Sequence, residues 1–201
     1  MDLGSFKWIG CCFETFIYTL MTACDMIDEL VDVVDENNNV IGQDLRSKKL
    51  ENGFISRNIS VFVRDTSGNY FTFKRAPHKK AAPNQYDSIC GHLVAGEDYH
   101  ACARREILEE LGVVGELQLL DTIYQEVPDH NGVWKFHTGI FVVTSDGPFK
   151  LNEEHTCFEK HTLSDLARDL KANPEKYTSG LRNEYKTVSG MLEMFEDGWK
   201  H

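Results

Sequence analysis

Apolar and polar positions alternate along the chain with two periods, and these assign the elements. Leu30-Val31-Asp32-Val33-Val34 is a β-rich run, Asp35 to Asn39 is a turn and Val40-Ile41-Gly42 returns, which predicts a hairpin. A polar connector with helical character follows from Arg46 to Asn52. Ile59 to Val63 alternates as a strand, Thr66-Ser67-Gly68-Asn69 turns, and Tyr70 to Phe73 is its partner. Ala101, Ala103, Ile107, Leu108 and Leu111 then recur near helical spacing, and Gly112 stops that helix. Leu117 to Glu126 alternates loosely, Pro128 to Gly132 turns, and Trp134 to Thr144 reads as a long central strand. An acidic loop at Asn152 to His155 leads to a helix from Leu163, capped by Thr162 or Ser164 and ended by Pro174. Leu181 to Phe195 is a closing helix. Antiparallel hairpins with irregularly placed helices make an α+β sandwich.

One stretch lies outside this pattern. Trp8 to Thr22 is mostly apolar, but Glu14 interrupts it, and it is too short to span a membrane. The chain therefore divides into an apolar extension at 1–25 and a single domain at 26–201. The extension is an extra helix packed on the domain or a partner subunit, or it precedes a native start at Met21 or Met26. Glu14 also spoils it as the apolar core of a signal peptide.

Composition narrows the function. Of 201 residues, 41% are hydrophobic and 26% charged, as in a globular domain, and the formal net charge is −11. That balance excludes broad binding to nucleic acid polymers or anionic membranes, which need Lys/Arg surfaces. The six cysteines (Cys11, Cys12, Cys24, Cys90, Cys102 and Cys157) fit no zinc spacing and read as reduced thiols of a cytoplasmic protein.

The candidate chemistry lies between Gly91 and Val113. Glu106, Glu109 and Glu110 share a helical face, where like charges repel and weaken an isolated helix. Such a cluster points to a bound hard cation, Mg²⁺ or Mn²⁺. Gly91, with no side chain, can bring its carbonyl to the same ion. Glu97 and Arg105 suit an ion pair that holds the loop against the helix. Upstream, Lys74-Arg75-Ala76-Pro77-His78-Lys79-Lys80 concentrates cations in an acidic chain. The run reads either as an ordinary solvated loop or as a phosphate clamp in which Arg75 and Lys79 supply charged donors, and its short distance in sequence from Gly91 favours the clamp.

Gly91, Glu97 and Arg105-Glu106-Ile107-Leu108-Glu109-Glu110-Leu111-Gly112-Val113 match at every specified position the signature of the Nudix hydrolases, which the chain resembles. The resemblance implies an α/β/α sandwich with a mixed sheet, and a Mg²⁺-dependent hydrolase of a diphosphate linkage. It also implies metal ligands at Glu106, Glu109, Glu110 and Gly91, with Glu97, Arg105 and Gly112 structural in the motif. The base that takes the water proton is Glu109 or Glu110, or, as in many members, a carboxylate of a later loop, here Glu154 or Glu153. The substrate is a small-molecule diphosphate, and a homodimer fits both the family and the apolar extension.

From Glu29 to Leu170 the chain resembles one branch in particular, the isopentenyl-diphosphate isomerase-like proteins. Leu30 to Glu36, Arg75 to Lys80 and Ser88-Ile89-Cys90-Gly91-His92 carry this likeness. In the isomerases the Cys-Gly-His supplies a catalytic cysteine and a metal-binding histidine, positions that Cys90 and His92 take here. The other isomerase residues are replaced: Lys49 and Asn58 stand near the upstream metal histidines, Lys135 and His137 near the strand acids. Isomerisation needs an acid and a base on opposite sides of the carbon skeleton. The expected activity is therefore hydrolysis, with His92 lining the substrate pocket. Isomerisation through Cys90 and a silent nucleotide-binding domain are the alternatives.

Overall fold

The computed structural model describes residues 28–129 and 132–196, so the apolar extension lies outside the described residues. Among these, nine strands form one mixed sheet: β1 (Leu30–Val34), β2 (Val40–Leu45), β3 (Ile55–Arg64), β4 (Tyr70–Arg75), β5 (Tyr86–Asp87), β6 (Ile89–His92), β7 (Leu117–Asp129), β8 (Gly132–Thr144) and β9 (His155–His161). Three helices flank it: α1 (Tyr99–Leu111), α2 (Leu163–Ala172) and α3 (Ser179–Glu196). The connector after β2 is a short helical turn over Arg46–Asn52, as its polar pattern suggests.

The hub is β3. It runs parallel to β8 along its whole length, from Ile55↔Lys135 to Arg64↔Thr144. Its other edge is shared in turn by β1 at Ile55, β6 at Asn58–Val61 and β4 at Val63–Arg64. Helices cover both faces of the sheet here, so Ile59–Val63 and Ile140–Val143 are buried at every position rather than at alternate ones. Alternate residues divide between two cores. Ile59, Val61, Val63, Ile89, Phe141 and Val143 pack under Cys102, Ala103, Ile107 and Leu111 of α1. Phe62, Ile140 and Val142 pack on the other face under Leu163, Leu166 and Leu170 of α2 and Leu181, Val188 and Leu192 of α3. Full burial of each such aliphatic side chain contributes about 1.5–3 kcal/mol. The result is an α/β/α sandwich.

Three elements differ from the sequence pattern. Leu108 is 54% exposed, because Glu106 and Glu110 take the inward positions on α1 that an apolar stripe would use. Residues 86–92 form two short strands, too brief to show a period. His155, assigned to a loop, starts β9, whose alternation His-Thr-Cys-Phe-Glu-Lys-His is too polar to stand out.

Candidate active site

Helix α1 is locally determined at both ends. The Asp98 side chain accepts the N–H of Ala101 at 2.8 Å as N-cap, and Gly112 closes the helix with φ 66°, a left-handed value that glycine adopts without strain. The loop between β6 and α1 is tied down by Arg105. Its Nε and Nη2 donate to the two Glu97 carboxylate oxygens at 3.1 and 3.0 Å, and Nη2 also donates to the His92 carbonyl at 3.1 Å. Glu97 in turn accepts the N–H of Val94 at 3.1 Å. Burial opposes its ionisation, but these donors hold its carboxyl below the ordinary value.

Arg105 also reaches the carboxylates of its own helix, with Nη1 at 2.7 Å from Glu106 Oε1 and 3.4 Å from Glu109 Oε2. Glu106 is pressed against Gly91: a Cβ at position 91 would overlap its carboxyl group, so any larger residue there must displace Glu106 or the strand. Glu106 and Glu110 are enclosed, whereas the Glu109 side chain is 55% exposed at the rim. Burial, followed by the neighbouring Glu110, pushes Glu106 up to about 8 against the pull of Arg105. Burial and the nearby Glu154 push Glu110 up to about 8 as well.

Two loops bring further groups to this end of α1. Lys150 and Asn152 donate their N–H groups to the carbonyls of Leu111 and Glu110 at 2.8 and 3.2 Å. Those carbonyls belong to the last turn, where a helix leaves its acceptors free. The docking carries Glu154 and His155 to Glu110. His155 Nε2 lies 2.6 Å from Glu110 Oε2, with one proton between them, and burial lowers the imidazole to about 4, so it is neutral at pH 7. The Ala76 N–H donates to the Glu154 carbonyl at 2.8 Å, which fastens the cationic loop to the same place. Lys79 Nζ pairs with Glu154 Oε2 at 2.5 Å, and Arg75 Nη1 lies 3.4 Å from Asp87 Oδ2. Burial raises the Glu154 carboxyl, but the Lys79 bond outweighs it and holds the group below its ordinary value.

The structure thus gathers Gly91, Glu97, Arg105, Glu106, Glu109, Glu110, Glu154, Arg75 and Lys79 on the α1 side of the sheet. Cys90 and His92 alternate with Gly91 along β6 and face the other side. There the Cys90 thiol meets Ser88 Oγ at 3.2 Å and Ser88 meets Ser60 at 2.7 Å, while the buried Glu184 of α3 accepts from Gln125 Nε2 at 3.1 Å. Burial, Asp87 and Glu184 raise the thiol well above its ordinary value, so it is protonated. The His92 ring is edge-on to Phe136 at 5.6 Å, its Nε2 without a hydrogen-bond partner among the described residues, and Phe136 stacks with Trp134 at 6.2 Å. Lys49 Nζ lies 3.3 Å above the Phe136 ring and donates to Ser56 Oγ. His137 is committed to the Asp35 carbonyl at 3.1 Å.

A family model, the NUDIX domain, matches residues 55–180. The chain belongs to the Nudix family. This Nudix chain is 30% identical over 173 residues to a prenyl-diphosphate phosphatase of Methanosarcina mazei, spanning 84% of this chain and 96% of that protein. It is 30% identical over 155 residues to an isopentenyl-diphosphate Delta-isomerase of Serratia proteamaculans, spanning 76% and 87%. With a Nudix hydrolase of Streptomyces coelicolor it shares 42% identity over 89 residues, 44% of this chain and 49% of the relative, about half its length. A solved Deinococcus radiodurans structure superposes with TM-score 0.66 at 23% identity, covering 79% of this chain and 98% of that one, which shows the fold. The Nudix domain and the Nudix hydrolase relative support a hydrolase acting on pyrophosphate bonds, and the isomerase and phosphatase relatives are consistent with the isopentenyl-diphosphate isomerase-like branch of the family. Among the described residues no helix is long and apolar enough to cross a membrane.

The sequence pattern did not single out His155, which neighbours a flagged carboxylate but lies in a strand of polar alternation. Among the described residues Glu159, His161 and Asp169 also form a cluster of metal-ligating type. Lys176 Nζ already sits between two of its members, 2.6 Å from Glu159 and 2.8 Å from Asp169.

Proposed function

We propose that the protein is a Mg²⁺-dependent hydrolase that cleaves the diphosphate linkage of an organic diphosphate. The observation that carries this reading is the pair of buried carboxyls, Glu106 and Glu110, pressed together beside Gly91 with too little positive charge to balance them. An all-oxygen donor set with excess negative charge fits a hard divalent cation. Glu106, Glu109 and Glu110 would hold it, with the Gly91 carbonyl as a further oxygen, and Mn²⁺ suits the same donors. The cation would neutralise phosphoryl charge and acidify the attacking water.

The chain's own groups do the rest. Arg75, at the end of β4, and Lys79, on the loop fastened beside Glu110, bind phosphate oxygens, as phosphoryl transfer requires. Glu154, ionised and adjacent to Glu110, is the base that receives the water proton, with Glu109 or Glu110 as the alternative. His155 orients Glu110. Across β6, His92 faces the organic group together with the apolar wall of Trp134 and Phe136. That wall, and the prenyl-diphosphate phosphatase aligned over 84% of the chain, favour a prenyl diphosphate over a nucleoside derivative.

A second reading, isomerisation of isopentenyl diphosphate at Cys90, draws on one observation. The protonated thiol is linked through Ser88 to Ser60, and the buried carboxyl of Glu184 lies close enough to raise it. The deciding measurement is ³¹P NMR of the protein with Mg²⁺ and a pool of prenyl diphosphates, nucleotides and nucleotide conjugates. Release of phosphate or diphosphate by wild type, lost in Glu109→Gln, is the expected result. Conversion of isopentenyl diphosphate to its isomer without cleavage would establish the second reading. Ligand binding with no turnover would mean a silent domain.

A further inference from the structure

Asp32 lies outside the family-matched residues 55–180, yet its carboxylate is 4% exposed and fully engaged. Its Oδ2 accepts the backbone N–H of Gly96, in the Gly91–Glu97 loop, at 3.0 Å, and also accepts from the Arg57 guanidinium. Its Oδ1 accepts from Gln43 Nε2 at 3.0 Å, across the hairpin. The preceding residue of the loop is held as well, because the Ala95 N–H donates to the Leu30 carbonyl at 2.8 Å. A third tie comes from the hairpin turn. Asn38 Nδ2 donates to the Tyr99 hydroxyl at 3.1 Å, and Tyr99 is the first residue of α1. The β1–β2 hairpin therefore grips the loop at Ala95 and Gly96 and the carboxylate helix at its start.

We propose that Asp32 is a positioning residue of the active site, fixing the Gly91–Glu97 loop at the separation from Glu106 and Glu110 that cation binding needs. The hairpin is then part of the catalytic unit. This rests on the metal-dependent reading above. The physical reason is that an ionised acceptor holds a backbone N–H about twice as strongly as a neutral one. Arg105 restrains the loop at Glu97 and His92, and the Asp32 bond to Gly96 restrains the stretch between. Gly91 is fixed in β6 by its pairing with β3, so a loop free to drift there loosens the start of α1 and moves Glu106 and Glu110 away from it.

The test is Mn²⁺ binding to the full chain, followed by EPR of the free ion, with circular dichroism and thermal melting alongside. Asp32→Asn removes the charge and keeps one acceptor oxygen. Mn²⁺ affinity is expected to fall about tenfold in the folded variant, the lower end for loss of a group behind a metal ligand. Tyr99→Phe keeps the ring and removes the hydroxyl that meets Asn38 and the His137 carbonyl, and its affinity is expected to fall in the same direction. A folded Asp32→Asn that binds Mn²⁺ like wild type, however lowered its melting point, overturns the proposal. Should Asp32→Asn fail to fold, Tyr99→Phe decides, and wild-type affinity there overturns it. A wild type that binds no Mn²⁺ overturns the metal-dependent reading and this proposal with it, which separates the two failures.

Discussion

Gly91 and Glu106 occupy one another's space: the carboxyl group sits where a side chain at position 91 would begin. Gly91→Ala must therefore displace Glu106 or the strand. A shift of about 1 Å at such a site can cost a hundredfold in rate. Hydrolysis by Gly91→Ala is expected to drop at least that far with the fold intact, measured by steady-state assay beside circular dichroism.

Arg105 uses its planar fork, meeting both oxygens of Glu97 and the oxygens of Glu106 and Glu109. An ammonium cannot reproduce that geometry. Arg105→Lys is expected to lose about 10–100-fold in metal affinity. A Mn²⁺ titration equal to wild type would show that charge alone suffices.

Glu106 and Glu110 set the pH response of the metal-free protein. Both stand at about 8 when folded, against an ordinary value of 4.5. Their contribution to stability is fully present below the ordinary value and is lost as pH rises through the folded one, because the buried groups hold protons that the unfolded chain has released. Metal-free protein is thus expected to melt progressively lower from about pH 5 to pH 8. Cation binding must expel those protons, so apparent Mg²⁺ affinity should rise over the same window. Calorimetry in buffers of different ionisation enthalpy would count the protons released.

His155 leaves Glu110 without its buried partner when removed. His155→Ala is expected to destabilise the fold by about 1–3 kcal/mol, the cost of an unpaired buried polar group. Urea unfolding measures it. Activity should fall further than stability alone explains, since Glu110 loses its orientation.

Cys90 faces away from the carboxylate cluster. Cys90→Ala is expected to keep hydrolysis within a few-fold of wild type while abolishing any isomerisation of isopentenyl diphosphate. Loss of hydrolysis in a folded Cys90→Ala would put the thiol in the phosphate chemistry after all.

Much of this was legible in the sequence because it is local. The N-capped, glycine-stopped helix, the spacing of Glu106, Glu109 and Glu110, and the strands of the two hairpins depend on neighbours a few residues away. Periodicity failed where two demands met in one residue. Leu108 stands outside because the inward stripe of α1 is given to carboxyls, and the polar alternation of β9 concealed a strand.

What the sequence by itself determined is the family, the sandwich and the acidic helix with its glycine loop, since these follow from residue types at fixed short spacings. Only the tertiary structure decided which groups surround them. The parallel pairing of β3 with β8, with β6 on the other edge of β3, placed Gly91 beneath Glu106 and turned Cys90 and His92 to the opposite face. Loop docking on the last turn of α1 brought His155 and Glu154 to Glu110 from 45 residues away in sequence in the case of His155. Hairpin packing brought Asp32 to Gly96 across 64. Such contacts are set by burial and by free hydrogen-bonding groups meeting across distant segments, and no short-range pattern encodes them.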